Sequence, residues 1–131
     1  MSLFIDHVVI TVTDIDKSIH FYSNVLGMEL QEFLSTTDNA KRKSLKFGMQ
    51  KINLHEASKP FKPHAHNPLP GTMDICFLSE INVNDWIKIF DKFDIKIEDG
   101  PGIKTGANGP IKSIYVRDPD KNLIEISNQN Y

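Results

Sequence analysis

The sequence predicts an α+β fold of two βαβββ modules that together form one curved, cup-shaped mixed β-sheet. Three observations carry this. The order strand, helix, strand, strand, strand can be read twice along the 131 residues. A stretch with Pro60, Pro63, Pro68, Pro70 and Gly71 separates the two readings, and proline at that density interrupts helix and sheet alike. The halves also overlay. His7 falls on Asp74, Ile15, Ile19 and Tyr22 on Val83, Ile87 and Phe90, and Ile52-Asn53-Leu54 on Ile124-Glu125-Ile126, with offsets of 67, 68 and 72. A repeat of this length marks units that cannot each bury a sheet face alone. The expected organisation is a single domain over 1–131: module 1–56, linker 57–71 and module 72–131.

Each element has a local reason. His7-Val8-Val9-Ile10-Thr11-Val12 is β-branched and reads as the first strand. Asp14 or Asp16 N-caps the helix that follows, on which Ile19, Tyr22, Val25 and Leu26 recur at helical spacing. Gly27 suits the C′ position. Met28–Leu34 reads as a strand and 35–42 as a polar loop. Lys43–Gly48 and Lys51–Glu56 read as a hairpin. In the second half Met73–Leu78 is a buried-type strand, and Val83, Ile87 and Phe90 mark one helical face beside Trp86. Residues 94–98 read as a short strand and 100–110 as a loop. Residues 112–117 and 122–127 form a hairpin closed by Asp118-Pro119-Asp120-Lys121.

Composition narrows the function classes. Apolar residues make up 40% and charged residues 24%, with a formal charge of −2. That balance lacks the basic excess that phosphate neutralisation needs, so no nucleic-acid partner is expected. No apolar run reaches the roughly 20 residues of a membrane-spanning helix, and Met1–Ile10 has no basic leader region, so no membrane partner is expected. One cysteine, Cys76, excludes an internal disulfide and suits a reducing compartment, which gives a cytoplasmic location.

Alternation along the strands then picks out a site. His7 shares a face with Val9, Asn53 with His55, Asp74 with Cys76, and Glu125 with Leu123 and Ser127. Polar residues thus occupy the same relative face at four repeat-related positions, His7, Asn53, Asp74 and Glu125. On an apolar face they would each cost several kcal/mol unless paired. A cup that holds imidazole and carboxylate has the composition for a divalent metal with open coordination positions. His55 reads first as a substrate contact and second as a metal ligand. His64 and His66 read as exposed linker residues, 104–109 as a weak anion cradle or lid, and Cys76 as a packed, unreactive thiol.

With these residues in place the sequence resembles the vicinal-oxygen-chelate superfamily of glyoxalases, bleomycin-resistance proteins and extradiol dioxygenases. The resemblance rests on Asp6-His7-Val8-Val9-Ile10-Thr11-Val12, on Phe21-Tyr22 with Leu26-Gly27-Met28, and on the run Arg117-Asp118-Pro119-Asp120-Lys121-Asn122-Leu123-Ile124-Glu125. It is nearest to the glyoxalase-domain-containing protein 5 type, through Ile52-Asn53-Leu54-His55-Glu56, Pro70-Gly71-Thr72-Met73-Asp74-Ile75-Cys76 and Thr105-Gly106-Ala107-Asn108-Gly109-Pro110-Ile111. The resemblance implies a divalent metal (zinc, nickel, iron or manganese) on His7, Asp74 and Glu125. It makes Glu125 a proton shuttle and Asn53 and His55 further metal or substrate contacts. Asp74 stands where the family usually has His, and Asn53 where glyoxalase I has Glu. It further implies a small-molecule substrate, a homodimer, and a lyase or isomerase reaction on an oxygenated, possibly thiol-conjugated, compound. An extradiol-type dioxygenase using His7, His55 and Glu125, and a non-catalytic antibiotic-binding protein, are the other classes.

Overall fold

The computed structural model describes residues 2–131. The chain divides into two compact units, Met1–Gly71 and Thr72–Tyr131.

The first unit holds a four-stranded mixed sheet in the order β1-β4-β3-β2, with β1 His7–Val12, β2 Glu29–Leu34, β3 Lys41–Phe47 and β4 Gln50–Glu56. β1 pairs parallel to β4, and the other neighbours are antiparallel. Between β1 and β2 runs helix α1, Ile15–Ile19, which passes directly into a π-helical segment, His20–Val25. Asp14 is the N-cap, its carboxylate accepting from the Lys17 N–H at 3.1 Å. Gly27 ends the segment with φ +85°, as a left-handed C′ residue. The helical segment buries Phe21, Tyr22 and Val25, and Ile10, Val12, Leu45, Ile52 and Leu54 form the buried face of the sheet. His7, Val9, Thr11, Asn53 and His55 are therefore left on the opposite face.

The second unit repeats this order as β5-β8-β7-β6, with β5 Asp74–Leu78, β6 Asp99–Gly106, β7 Gly109–Arg117 and β8 Leu123–Asn128. β5 is parallel to β8, as β1 is to β4. Helix α2, Val83–Lys92, is capped by Asn82, whose side chain accepts from the Asn84 N–H. It packs on β7 and β8, burying Val83, Trp86 and Phe90 with Ile114, Val116, Ile124 and Ile126. Buried Asn128 anchors the helix start: its amide oxygen accepts from the Val83 N–H at 2.8 Å, and its amide nitrogen donates to the Ser79 and Ile81 carbonyls.

One strand lies elsewhere than the composition suggests. Residues 94–98 form no strand, and the edge strand is β6, within the stretch read as a loop. Its sequence, Asp99-Gly100-Pro101-Gly102, looks like a turn. Yet the register shift between Asp99 and Gly102 takes Pro101 out of the ladder, where no N–H is required. Gly100 sits at φ +91°, and a Cβ there would run into the Ser113 carbonyl. The linker is also more than a connection, because Phe61 packs back on the first unit, its ring centroid 4.3 Å from that of His55.

The turn between β7 and β8 is knotted by side chains. Asp118 is buried and accepts from the Asn122 backbone N–H at 2.8 Å, the Asn122 side-chain amide at 2.8 Å and the Asp120 N–H at 3.0 Å. Asn122 in turn accepts from the Met73 N–H at 2.8 Å, just before β5. Asp118→Ala strips three donors of their acceptor inside the unit. It is expected to lower the unfolding free energy by about 2–3 kcal/mol in urea titration.

Candidate functional site

In the second unit Glu125 stands mid-strand on β8, beside Cys76 of β5 and Tyr115 of β7 in the register. All three point away from the face covered by α2. The Ser127 hydroxyl donates to Glu125 Oε2 at 3.3 Å. Ser127 has one hydroxyl proton, so with that proton on Glu125 it accepts from the Ser113 hydroxyl at 2.6 Å; the Cys76 sulfur lies 3.3 Å from it. The Tyr115 hydroxyl also donates to Glu125. Glu125 is thus held by two neutral O–H donors, one of them backed by a chain of hydroxyls that is fully buried at Ser113 and Ser127.

These groups open on a cleft of about 370 Å³, lined by Glu125, Tyr115, Cys76, Leu78, Ile111 and residues 104–108 at the end of β6 and its turn. The size is that of a small-molecule site. Lys104 of β6 lies 5.6 Å above the Tyr115 ring and 3.9 Å from Asp99. Cys76 is exposed and not packed as expected: it lies on the open face of β5, and its neighbours Ile75 and Phe77 take the covered one. Burial of its sulfur, with the charge of Glu125 nearby, pushes the thiol up, which keeps it protonated and a poor nucleophile.

Asp74 opens β5, exposed, on the same face as Cys76 and diagonal to Glu125 through the Asp74–Leu123 pairing. In the first unit the equivalent positions are His7 and Asn53. The equivalence is one of register: Val9 pairs with Asn53 as Cys76 pairs with Glu125, and His7 and Asp74 each lie two residues earlier. His7 is half-exposed and bonded through Nδ1 to Asp6 at 2.7 Å. Asn53 is part-buried, and its Oδ1 is sealed from solvent with no hydrogen-bond partner. His55 lies one step further along the same face. Burial pushes its imidazole down, with the charges of Arg42 and His64 adding to this, so the ring is neutral at pH 7.

These donors suit a divalent cation in kind. Asp74 and Glu125 are hard carboxylates, His7 is an imidazole, and the orphaned Asn53 oxygen is a neutral donor that lacks a partner. Each unit carries its own share of them, His7, Asn53 and His55 in one and Asp74 and Glu125 in the other. Among the described residues no three His, Cys, Asp or Glu side chains stand together as a ready metal cluster. His64 and His66 are exposed in the proline-rich segment.

Four contributors, Ser113, Tyr115, Arg42 and Phe61, carry no local signal in the sequence. The face of Ser113 and Tyr115 was unreadable while the pairing of β7 was unknown. Arg42 was placed in a loop, although continuing the β3–β4 hairpin register one step puts it opposite His55. Phe61 lay in a segment read only as a linker.

Residues 4–126 match the family model described as Glyoxalase/Bleomycin resistance protein/Dioxygenase superfamily. The chain belongs to this superfamily. It is 49% identical over 123 residues to virulence protein STM3117 of Salmonella typhimurium, covering 94% of this chain and 82% of that one. A crystal structure of that protein superposes with a TM-score of 0.88 at 46% identity, covering 98% of both chains. Glyoxalase domain-containing protein RDO1 of Mycosarcoma maydis is also 49% identical over 123 residues, covering 94% of this chain and 66% of that longer one. The integron cassette protein VCH_CASS1, from the mobile metagenome of V. cholerae, gives a TM-score of 0.91 at 41% identity, covering 99% of this chain and 98% of that one. Among the described residues no helix is long and apolar enough to cross a membrane.

Tyr115 supplies a check on the site. Burial first, then the hydrogen bond to Glu125 and its charge, push the phenol from 10.0 up to about 12. A phenol whose folded pKa is raised favours the fold while protonated. Its contribution is complete below about pH 10 and is lost as pH rises through about 12. In an ultraviolet titration of the phenolates, Tyr115→Phe is expected to delete the step near 12.

Proposed function

We propose that the chain is a metal-dependent lyase or isomerase of the glyoxalase type. On this reading it works as a cytoplasmic homodimer on a small oxygenated, possibly thiol-conjugated, substrate. The observation that carries the reading is the environment of Glu125: one carboxylate, oriented by two O–H donors, in a cleft of about 370 Å³. That is the arrangement of a positioned general base. His7, Asp74 and Glu125 would hold the cation, with Asn53 and His55 as further metal or substrate contacts. When bound, the cation supplies Lewis acidity to substrate oxygens and so acidifies the neighbouring C–H.

The chain's own residues do the rest. Glu125 takes a proton from the carbon beside a carbonyl and returns it to the adjacent carbon, so no atom is gained or lost. Tyr115 keeps its proton at any physiological pH and acts as a donor that aligns the carboxylate. Ser127, fed by Ser113, holds the second oxygen. At the repeat-related position Asn53 is an amide and takes no proton, so a single base serves both half-steps. Proton return by the same carboxylate is expected to leave part of the substrate hydrogen in product formed in deuterium oxide.

Two experiments test the reading. Hemithioacetals of methylglyoxal with several thiols are offered to the protein loaded with zinc, nickel or cobalt. Glu125→Gln is expected to cut turnover by about 10²–10⁴-fold with much smaller change in substrate binding, at metal occupancy measured in the same samples. Absence of turnover by the wild type with every metal, alongside retained binding of a small ligand, would replace this reading with a binding protein. Separately, Asp74→Ala is expected to weaken zinc or nickel binding in calorimetric titration, whereas Asp74→His keeps or strengthens it. Unchanged affinity in the alanine variant removes Asp74 from the ligand set.

A further inference from the structure

The first unit holds a second cavity, of about 450 Å³, and no residue lines both this cavity and the Glu125 cleft. Its lining is cationic. Lys41, Arg42, Lys43 and Lys59 outnumber the acidic Asp38 and Glu56. Arg42 is the most constrained of these, with its side chain only 15% exposed. Its guanidinium carbon lies 3.7 Å over the ring of Phe61, which in turn meets His55 at 4.3 Å. The guanidinium is thus fixed in plane and position by aromatic packing, before any partner arrives.

Its hydrogen bonding is incomplete. Nη2 donates to Asp38 at 2.6 Å, and Nη1 reaches the Lys41 carbonyl only at 3.5 Å. The Nε–H is buried and has no acceptor. A guanidinium presents Nε and one terminal nitrogen as a fork that matches two oxygens of a carboxylate or phosphate. Here one prong is idle, and the other is held by a carboxylate from the exposed 35–40 loop. Asp38 is itself 42% exposed, so the clasp is one an incoming anion can share or displace. Ile15 and Pro60 supply apolar surface at its rim, which suits the carbon part of an organic anion better than a bare ion.

We propose that this cavity binds a small organic anion through its carboxylate or phosphate group, with Arg42 as the recognition residue and Asp38 as its internal competitor. The neutral ring of His55 borders the site without adding charge. The binding is read directly and does not depend on whether Glu125 transfers protons.

Calorimetric titration of the full chain with benzoate and with phenyl phosphate tests this, with acetate and inorganic phosphate as the matching bare ions. Saturable binding of an aryl anion is expected, tighter than that of its bare counterpart. Preference between the two probes assigns the group as carboxylate or phosphate. Arg42→Gln is expected to weaken binding about 10- to 100-fold, the range of one charge-assisted hydrogen bond. Arg42→Lys, which keeps the charge and loses the Nε donor, is expected to fall between the two. Asp38→Asn is expected to act in the opposite direction, tightening binding about two- to fivefold as a half-exposed ion pair is released. This substitution lies on an exposed loop, so the gain remains measurable should the Arg42 variants fold poorly. No saturable binding by any of the four probes would overturn the proposal. So would equal affinity in folded Arg42→Gln, or an Asp38→Asn variant that binds no tighter than the wild type.

Discussion

Everything at the candidate site depends on the parallel pairing of the first and last strand of each unit. β1 on β4 and β5 on β8 place two strands from the ends of a module side by side at the centre of its chemistry. A helical segment then covers one face of each sheet. Because side chains alternate, covering Ile10, Val12, Ile52 and Leu54 leaves His7, Asn53 and His55 on the other face, and covering Ile124 and Ile126 does the same for Glu125. A slip of one residue in either register would send Glu125 under the helix and Ile124 into the cleft. The apolar residues resist that slip with the whole hydrophobic gain of their burial. Core packing and site geometry are therefore one constraint seen from two sides.

The polar face is then fixed more finely by hydrogen bonds. The Asp118–Asn122 knot sets where β8 begins and, through the Met73 N–H, ties it to the start of β5. Seven residues after Asp118 comes Glu125. The run from Arg117 to Glu125 is thus recognisable in sequence for two different reasons. Its first half is a buried turn whose side chains tie the hairpin together, and its second half is a strand whose open-face residue is the carboxylate of the cleft. Ser127 and Ser113 continue the ordering, since a buried hydroxyl that must donate to a carboxylate has to receive its own hydrogen bonds from elsewhere.

Where the fold was legible in the sequence, period-2 and helical patterns were strong: the β-branched run at His7, the helix with Tyr22, the hairpin around Gly48 and the strand through Glu125. The edge strand β6 was illegible because its residues are those of a turn. Pairing to β7 and a bulge at Pro101, both tertiary facts, make it a strand. The π-helical segment leaves the same face buried as an α-helix would, so periodicity does not separate the two. At the site, His7, Asn53, Asp74 and Glu125 could be placed on one relative face by alternation alone. Tyr115 and Ser113 required the β7–β8 register. Arg42 and Phe61 required a long-range contact between a strand and a proline-rich segment, which no local pattern encodes.

The two units share topology and register, yet their open faces have diverged in charge. The first carries eight Lys and Arg against seven Asp and Glu, the second seven against ten. Opposite Val9 the first unit places an amide, Asn53, and along the same strand face an imidazole, with the guanidinium of Arg42 beyond it. Opposite Cys76 the second places a carboxylate, with Tyr115 and Ser127 donating to it. A face built of carboxylate and hydroxyl suits cations and proton acceptance. A face built of guanidinium, ammonium and neutral imidazole holds anions and does not take protons at neutral pH. One βαβββ topology thus frames both faces, and a few substitutions on the uncovered face, where packing does not resist them, are enough to give the two units different charge and donor sets.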